Sequence, residues 1–242
     1  ADKFAGETMH TACWNQDFDP AGKRIAVIGS AASAIQAVPE LAKTADMVHL
    51  FQRTPNYIAP RNDFAYSDEQ RAQFRRDPEA MRAERERIFN EGETRLWPLI
   101  IDQASRDKTR ELLKLYLGSQ VRNRKYREAL TPGFDVGCKR LLFSDDFLAS
   151  LNEDNVELVT DAITGLTAEG ILTEDGSERP VDAIVYATGF DIESHQRSID
   201  IRGENGLSLS DAWKGGAQAY LSVLLPEFPN YFMTTGPNSG VA

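Results

Sequence analysis

The stretch from Lys23 to Arg53 constrains the fold more than any other. Arg24–Ile28 (RIAVI) is a short apolar run with β-branched residues, suited to a strand covered on both faces of a parallel sheet. Gly29 follows at once, where the chain must turn sharply. From Ser30 to Lys43 apolar residues recur at helical spacing (Ala34, Ile35, Val38, Leu41, Ala42), and Pro39 inside that helix removes one backbone donor. Met47–Phe51 (MVHLF) is a second strand. Together they form a βαβ unit, whose first turn is where a dinucleotide pyrophosphate meets a helix N-terminus.

The glycine motif of that turn is degenerate. G-x-G-x-x-G would need glycine at 29, 31 and 34; the chain has Gly29, Ala31 and Ala34. Alanine at the third position still lets helix and strand approach closely, whereas the Ala31 methyl stands where the backbone would meet the pyrophosphate. The motif alone leaves two readings open, a dinucleotide site using Gly29, Ser30, Ala31 and Ser33, and an ordinary strand–helix turn. The end of the second strand bears on the choice. An NAD site carries Asp or Glu there to hold the ribose 2′-hydroxyl. This chain instead has Arg53, 24 positions after Gly29, followed by Thr54. A guanidinium pairs with a 2′-phosphate, which favours NADP(H) over NAD.

A length of 242 residues allows one or two domains with a substantial core. The net charge of −10 argues against broad nucleic-acid binding, so any positive nucleotide pocket must be local. No apolar run is of membrane-spanning length and the N-terminus has no signal-peptide pattern; the expectation is a cytoplasmic protein without a membrane partner. Cys13 and Cys138 are far apart and read as free thiols. His10, His49 and His195 lack metal-ligand spacing, so no metal is expected.

Residues 61–130 change character. Ser67 or Asp68 caps a helix that Pro78 divides in two, and Asp107–Ala129 is a further helical run. Pro132, Gly133 and Gly137 mark a loop that carries the adjacent cations Lys139 and Arg140. Residues 155–187 read as β-rich: NVELV as one strand, short strands with turns at 168–170 and 174–176, then a buried strand DAIVYA that runs into Thr188 and Gly189. Beyond lie a helical turn near Ser210–Lys214 and a strand over Asn230–Thr235.

By physics alone the leader, residues 1–22, is an irregular connecting segment with two aromatic anchors. Its stretch FAGETMHTACW nevertheless fits Phe-x-Gly-x-x-x-His-x-x-x-Trp at Phe4, Gly6, His10 and Trp14. This resembles the fingerprint of Baeyer–Villiger monooxygenases, with Asn15 where that family usually has Pro or Asp. The glycine turn, QRTPNY (52–57), Gly137-x-Lys139-Arg140-Leu141 and ATGFD (187–191) resemble further segments of the same family, in the same order.

The resemblance implies an α/β fold, a Rossmann-like NADPH-binding domain with a parallel sheet, a helical insertion and a small β-meander, with the FAD domain largely missing. It divides the chain into a fingerprint-bearing interdomain linker (1–22), two parts of the NADPH-binding domain (23–60 and 131–190), the helical insertion (61–130), and a linker with the start of a return to the FAD domain (191–242). In that family NADPH reduces FAD, and O2 then gives a flavin peroxide that attacks a ketone to form an ester or lactone. Arg140 would be the catalytic residue, stabilising the anionic peroxide, and Lys139 would contact the nucleotide phosphate. Thr188 and Gly189 would lie at the crossing between the nucleotide domains, and His10 and Trp14 would couple domain movement to catalysis. The insertion would lie over the active-site side, with Phe89, Trp97 and Leu99 as candidates to line it, though core packing explains them as well. Two other readings stay open: an N- or S-oxygenating flavin monooxygenase acting on a heteroatom substrate, and, for these residues alone, a nucleotide-binding module without catalysis.

Overall fold

The computed structural model describes residues 3–96, 102–190 and 199–239. The chain folds as two compact units, Ala1–Gly189 and Phe190–Ala242.

The first unit is built on a five-stranded, all-parallel sheet. Its strands are β1 (Glu7–His10), β2 (Arg24–Ile28), β3 (Met47–Phe51), β6 (Val156–Val159) and β10 (Ala183–Tyr186), in the spatial order β1-β10-β2-β3-β6. The four strands β6-β3-β2-β10 have the 3-2-1-4 order of a dinucleotide-binding half. The fifth, β1, is a correction to the leader as an irregular segment. Residues ETMH pair in register with β10, Glu7 opposite Ala183 and His10 opposite Tyr186. The run is too short and polar to read as a strand by itself; it is held because β10 offers it a free edge.

Alternation along the strands decides what covers each face. Ile25, Val27, Val48, Leu50, Ala183 and Val185 point to a layer of helices: α1 (Ala34–Ala42), the ends of α4 (Gln103–Gln120) and α5 (Arg124–Leu130), and the short α6 (Phe147–Ser150). Ala26, Phe51, Val159 and Ile184 point the other way and are covered by Ile171 and Val181. Ile171 belongs to the antiparallel meander β7 (Ile163–Leu166), β8 (Gly170–Thr173) and β9 (Glu178–Pro180). The expected α/β architecture with a β-meander is therefore present.

α1 runs through Pro39, which is buried on its core face. The insertion opens with α2 (Asp68–Arg76), where Ser67 and Gln70 form a reciprocal capping box. α2 stops before Asp77, and Pro78 starts α3 (Pro78–Leu96), as expected from a ring tolerated in a first helical turn. The expected helix over 107–129 is two: α4, capped by Asp102, ends at Gln120, and α5 begins after Asn123, which caps it. Two short strands, β4 (Ile58–Ala59) and β5 (Leu142–Phe143), pair in parallel and bring the segments flanking the insertion together.

The second unit packs Leu209, Leu225, Phe228 and Met233 around α7 (Leu209–Ala212). The expected strand over Asn230–Thr235 is not formed. Phe232 makes one isolated bridge to Leu224, and successive positive-φ residues, Leu221 and Ser222, turn the chain too tightly for a ladder to extend.

Candidate functional site

Four strand ends converge at the C-terminal edge of the sheet, the edge where parallel α/β sheets bind ligands. Gly29 follows β2 with φ +114°, and a Cβ there would meet the Ala187 carbonyl. The position therefore demands glycine both for its backbone angle and for its close approach to the chain leaving β10. Its N–H donates to the Phe51 carbonyl at 3.0 Å, which ties the turn to the end of β3. The Ser30 hydroxyl is buried and donates to the Thr54 carbonyl at 3.1 Å, and the Asn56 side chain donates to the Ser30 carbonyl at 3.3 Å. The glycine turn and the Arg53–Thr54 segment are thus one hydrogen-bonded unit. Ser33 starts α1 without a side-chain cap, and the first turn of α1 has no acidic residue. In that turn the Ile35 and Gln36 N–H groups donate to the Ala31 and Ser33 carbonyls, so what the helix end offers an anion is its dipole. Ala34 is fully buried, as close helix–strand packing requires, while Ala31 is exposed.

Arg53 is exposed and forms no ion pair among the described residues. The loop that precedes β5 carries Lys139 and Arg140, both exposed, with Gly137 at φ +94°. That loop is joined to the segment after Arg53. The Tyr57 hydroxyl donates to the Phe134 carbonyl at 2.8 Å, the Leu142 N–H donates to the Tyr57 carbonyl at 3.0 Å, and the Tyr57 and Phe134 rings meet edge to face at 5.7 Å. Three expected phosphate or catalytic cations, Arg53, Lys139 and Arg140, are therefore carried on two segments that hydrogen-bond to each other. Arg110 on α4 braces the loop through an ion pair with Asp135, and also pairs with Asp107 of its own helix. Asn56, Tyr57, Phe134 and Arg110 were not singled out from sequence. Tyr57 and Asn56 lie within QRTPNY, so the signal was at hand; nothing in the α4 pattern marks Arg110.

The four leader residues occupy different surroundings. Phe4 packs toward the meander-side core, and Trp14 packs toward the helix-side core and meets Phe18 edge to face. A Cβ on Gly6 would stand 2.5 Å from the Asp182 carbonyl oxygen. His10 Nδ1 accepts the Ala12 N–H at 3.1 Å, which puts the ring proton on Nε2, 3.1 Å from the Gly189 carbonyl. His10 and Gly189, read from separate stretches of sequence, are therefore in contact. Thr188 and Gly189 are exposed where the chain leaves β10, Gly189 with φ +101°. Asn15 closes a turn by accepting the Asp17 N–H and donating to Glu7, and so has a structural task of its own.

Beneath the site, the sheet carries one polar network. His49 on β3 lies opposite Glu157 on β6, with Nδ1 2.7 Å from the carboxylate, and Arg179 of the meander pairs with the same carboxylate. Burial lowers the His49 pKa and outweighs the pull of Glu157, so the ring is a neutral donor. Burial works to raise the Glu157 pKa, but Arg179 and His49 hold it below the usual carboxylate range. At the start of β2, hydrogen bonds from the Arg24 side chain and N–H lower Asp182 to about 2. Phe89, a candidate lining residue, is exposed on α3; Trp97 and Leu99 lie outside the described residues, as does His195. Cys13 and Cys138 are exposed free thiols. No helix among the described residues is long and apolar enough to cross a membrane.

No family model matches the chain. Against curated proteins, 99% of it aligns at 35% identity with a protein of Pseudomonas aeruginosa named Baeyer–Villiger monooxygenase, over 46% of that protein. Among solved structures, 98% of it superposes, with TM-score 0.85 and 31% identity, on a mutant cyclohexanone monooxygenase from Rhodococcus sp. Phi1 bound to NADP+, over 52% of that chain. A protein designated OTEMO, in complex with FAD and NADP, matches over 98% of this chain and 52% of its own, with TM-score 0.81 and 30% identity. The chain is homologous to these proteins and spans about half of their length.

Proposed function

We propose that this chain, a homologue of Baeyer–Villiger monooxygenases, is the NADPH-binding portion of a flavin-dependent monooxygenase that uses O2 to oxidise ketones to esters or lactones. One observation carries the reading: the turn at Gly29 is hydrogen-bonded through Ser30 to the segment bearing Arg53 and Thr54. In this reading the pyrophosphate turn and the 2′-phosphate cation are carried by hydrogen-bonded segments at the C-terminal edge of the sheet.

The residues fit NADP(H). Gly29 leaves room for backbone approach, the uncapped N-terminus of α1 takes pyrophosphate charge, and Arg53 with Thr54 grips the 2′-phosphate, with Lys139 as a second cation. No residue here is assigned to holding flavin. When bound, the two cofactors supply hydride and activated oxygen. Arg140 is a permanently charged donor, suited to stabilise negative charge that develops on oxygen. His10, through Gly189, links the leader to the chain leaving β10 and conveys domain movement. In this reading residues 23–60 and 131–190 form the nucleotide domain, 61–130 the insertion that shapes substrate access, 1–22 and the chain after 190 the connections to a FAD domain. A cytoplasmic location belongs to the same reading, supported by two unbridged exposed cysteines.

Calorimetric titration with NADPH and NADH tests it. Arg53→Ala is expected to weaken NADPH by about 10- to 150-fold, the loss of a charge-assisted contact of about 1.5–3 kcal/mol, and to leave NADH nearly unchanged. Equal losses for both nucleotides reject the assignment. For the reaction, Arg140→Ala in the flavin-loaded protein should still allow flavin reduction by NADPH but abolish ester formation; normal ester formation sinks that role.

A further inference from the structure

We infer that Phe134 is a positioning residue for nucleotide selectivity, its ring holding the Lys139 ammonium ready for the 2′-phosphate. The inference rests on the NADPH reading above and deepens it. Lys139 Nζ lies 4.9 Å from the centroid of the Phe134 ring, within the range of a cation–π contact. The ring is itself fixed. Tyr57 meets it edge to face and donates to its backbone carbonyl, and Tyr57 stands four positions after Arg53. Phe134 therefore connects the segment that bears Arg53 with the cation five residues further along its own loop.

An exposed lysine on a flexible stem has many rotamers, and a phosphate that recruits it must restrict them. A ring that already holds the ammonium reduces this cost in advance. The neighbouring carboxylate is removed from competition as well. Asp135, beside Phe134, is paired with Arg110, which also pairs with Asp107 at 2.9 Å. Among the described residues no carboxylate pairs with Lys139, so its charge remains available to an incoming anion.

Calorimetric titration of the protein with NADPH and NADH decides. Phe134→Leu keeps an apolar side chain but removes the π face, and should weaken NADPH about two- to fivefold while NADH is unchanged. Phe134→Trp, a stronger cation platform, should raise the preference for NADPH above that of the unsubstituted protein. Equal weakening of both nucleotides by Phe134→Leu, or no weakening, overturns the inference. Lys139→Ala, measured in parallel, separates the two levels. If it weakens both nucleotides equally, the phosphate role of Lys139 fails, and this inference with it. If it is selective for NADPH while Phe134→Leu is not, the platform alone fails. Should Phe134→Leu not fold, Phe134→Trp decides: an increased NADPH preference supports the platform, and an unchanged or reduced one overturns it.

Discussion

The strand-end turns and the 131–141 loop both carry expected site residues, but they are built on opposite terms. At the turns four backbone N–H groups tie the strand ends together: Gly29 to Phe51, Ala187 to Ile28, Thr11 to Tyr186, Gln52 to Val159. The residues there hold the sheet together and shape the site with the same atoms. In the loop the anchors and the functional groups are different residues. Tyr57, Phe134, Asp135 and Arg110 do the holding, and Lys139 and Arg140 stand exposed. Stability and function should therefore be inseparable at the first region and separable at the second.

The largest expected effect breaks the turn. Gly29→Val imposes a β-branched residue at φ +114° and drives a side chain into the Ala187 carbonyl. Strain of about 1–3 kcal/mol plus the clash should lower stability by on the order of 3 kcal/mol or more, or about 6–12 °C in Tm, and abolish nucleotide binding. A variant that melts normally yet binds no NADPH would show that the turn too can be uncoupled.

A smaller effect lies beneath it, in the network of β3. The His49 pKa is depressed in the folded protein, so the unfolded chain binds the proton more readily. The contribution of the neutral ring is complete above about pH 6.5, the unfolded value, and is lost as pH falls toward the folded pKa. Denaturant unfolding across pH 7 to 5 should show stability falling with acidity, and His49→Gln should flatten that slope. An identical slope in the variant would remove His49 from the scaffold's acid sensitivity.

The smallest expected effect is on the loop's outer face. Arg140 is exposed and forms no ion pair among the described residues, so Arg140→Ala should leave Tm within about 1 °C of the unsubstituted protein. A clear drop would mean that Arg140 is an anchor and would erase the contrast between the two regions.

This contrast also explains what could be read in the chain. The βαβ unit was legible because β2 and β3 are covered on both faces and so appear as continuous apolar runs. The meander was legible from its turn residues, and the break at Pro78 from ring chemistry. β1 was not, because ETMH has no apolar alternation and owes its conformation to a partner 176 positions away. Helix α4 ends at Gln120 although the helical periodicity continues, since Asn123 starts a new cap just beyond it. Within the site, Gly29 and Arg53 stood out through spacing, and Thr54 through the resemblance of QRTPNY. Lys139, Arg140 and the pairing of His10 with Gly189 depended on resemblance or on the fold itself. Arg110 acts through a salt bridge 25 residues long in sequence, which leaves no local pattern.

The sheet's pairing also sets a timetable. β2 and β3 lie close in sequence, with Arg24 opposite Met47, and can pair as soon as both exist. β1 must wait for β10, since Glu7 pairs with Ala183. At ordinary synthesis rates of about 5–20 residues per second, that interval is roughly 10–35 s. During it the leader that carries Phe4, Gly6, His10 and Trp14 has no edge to join. The fingerprint is the earliest of the matched segments to be made, and its strand is among the last to find its place.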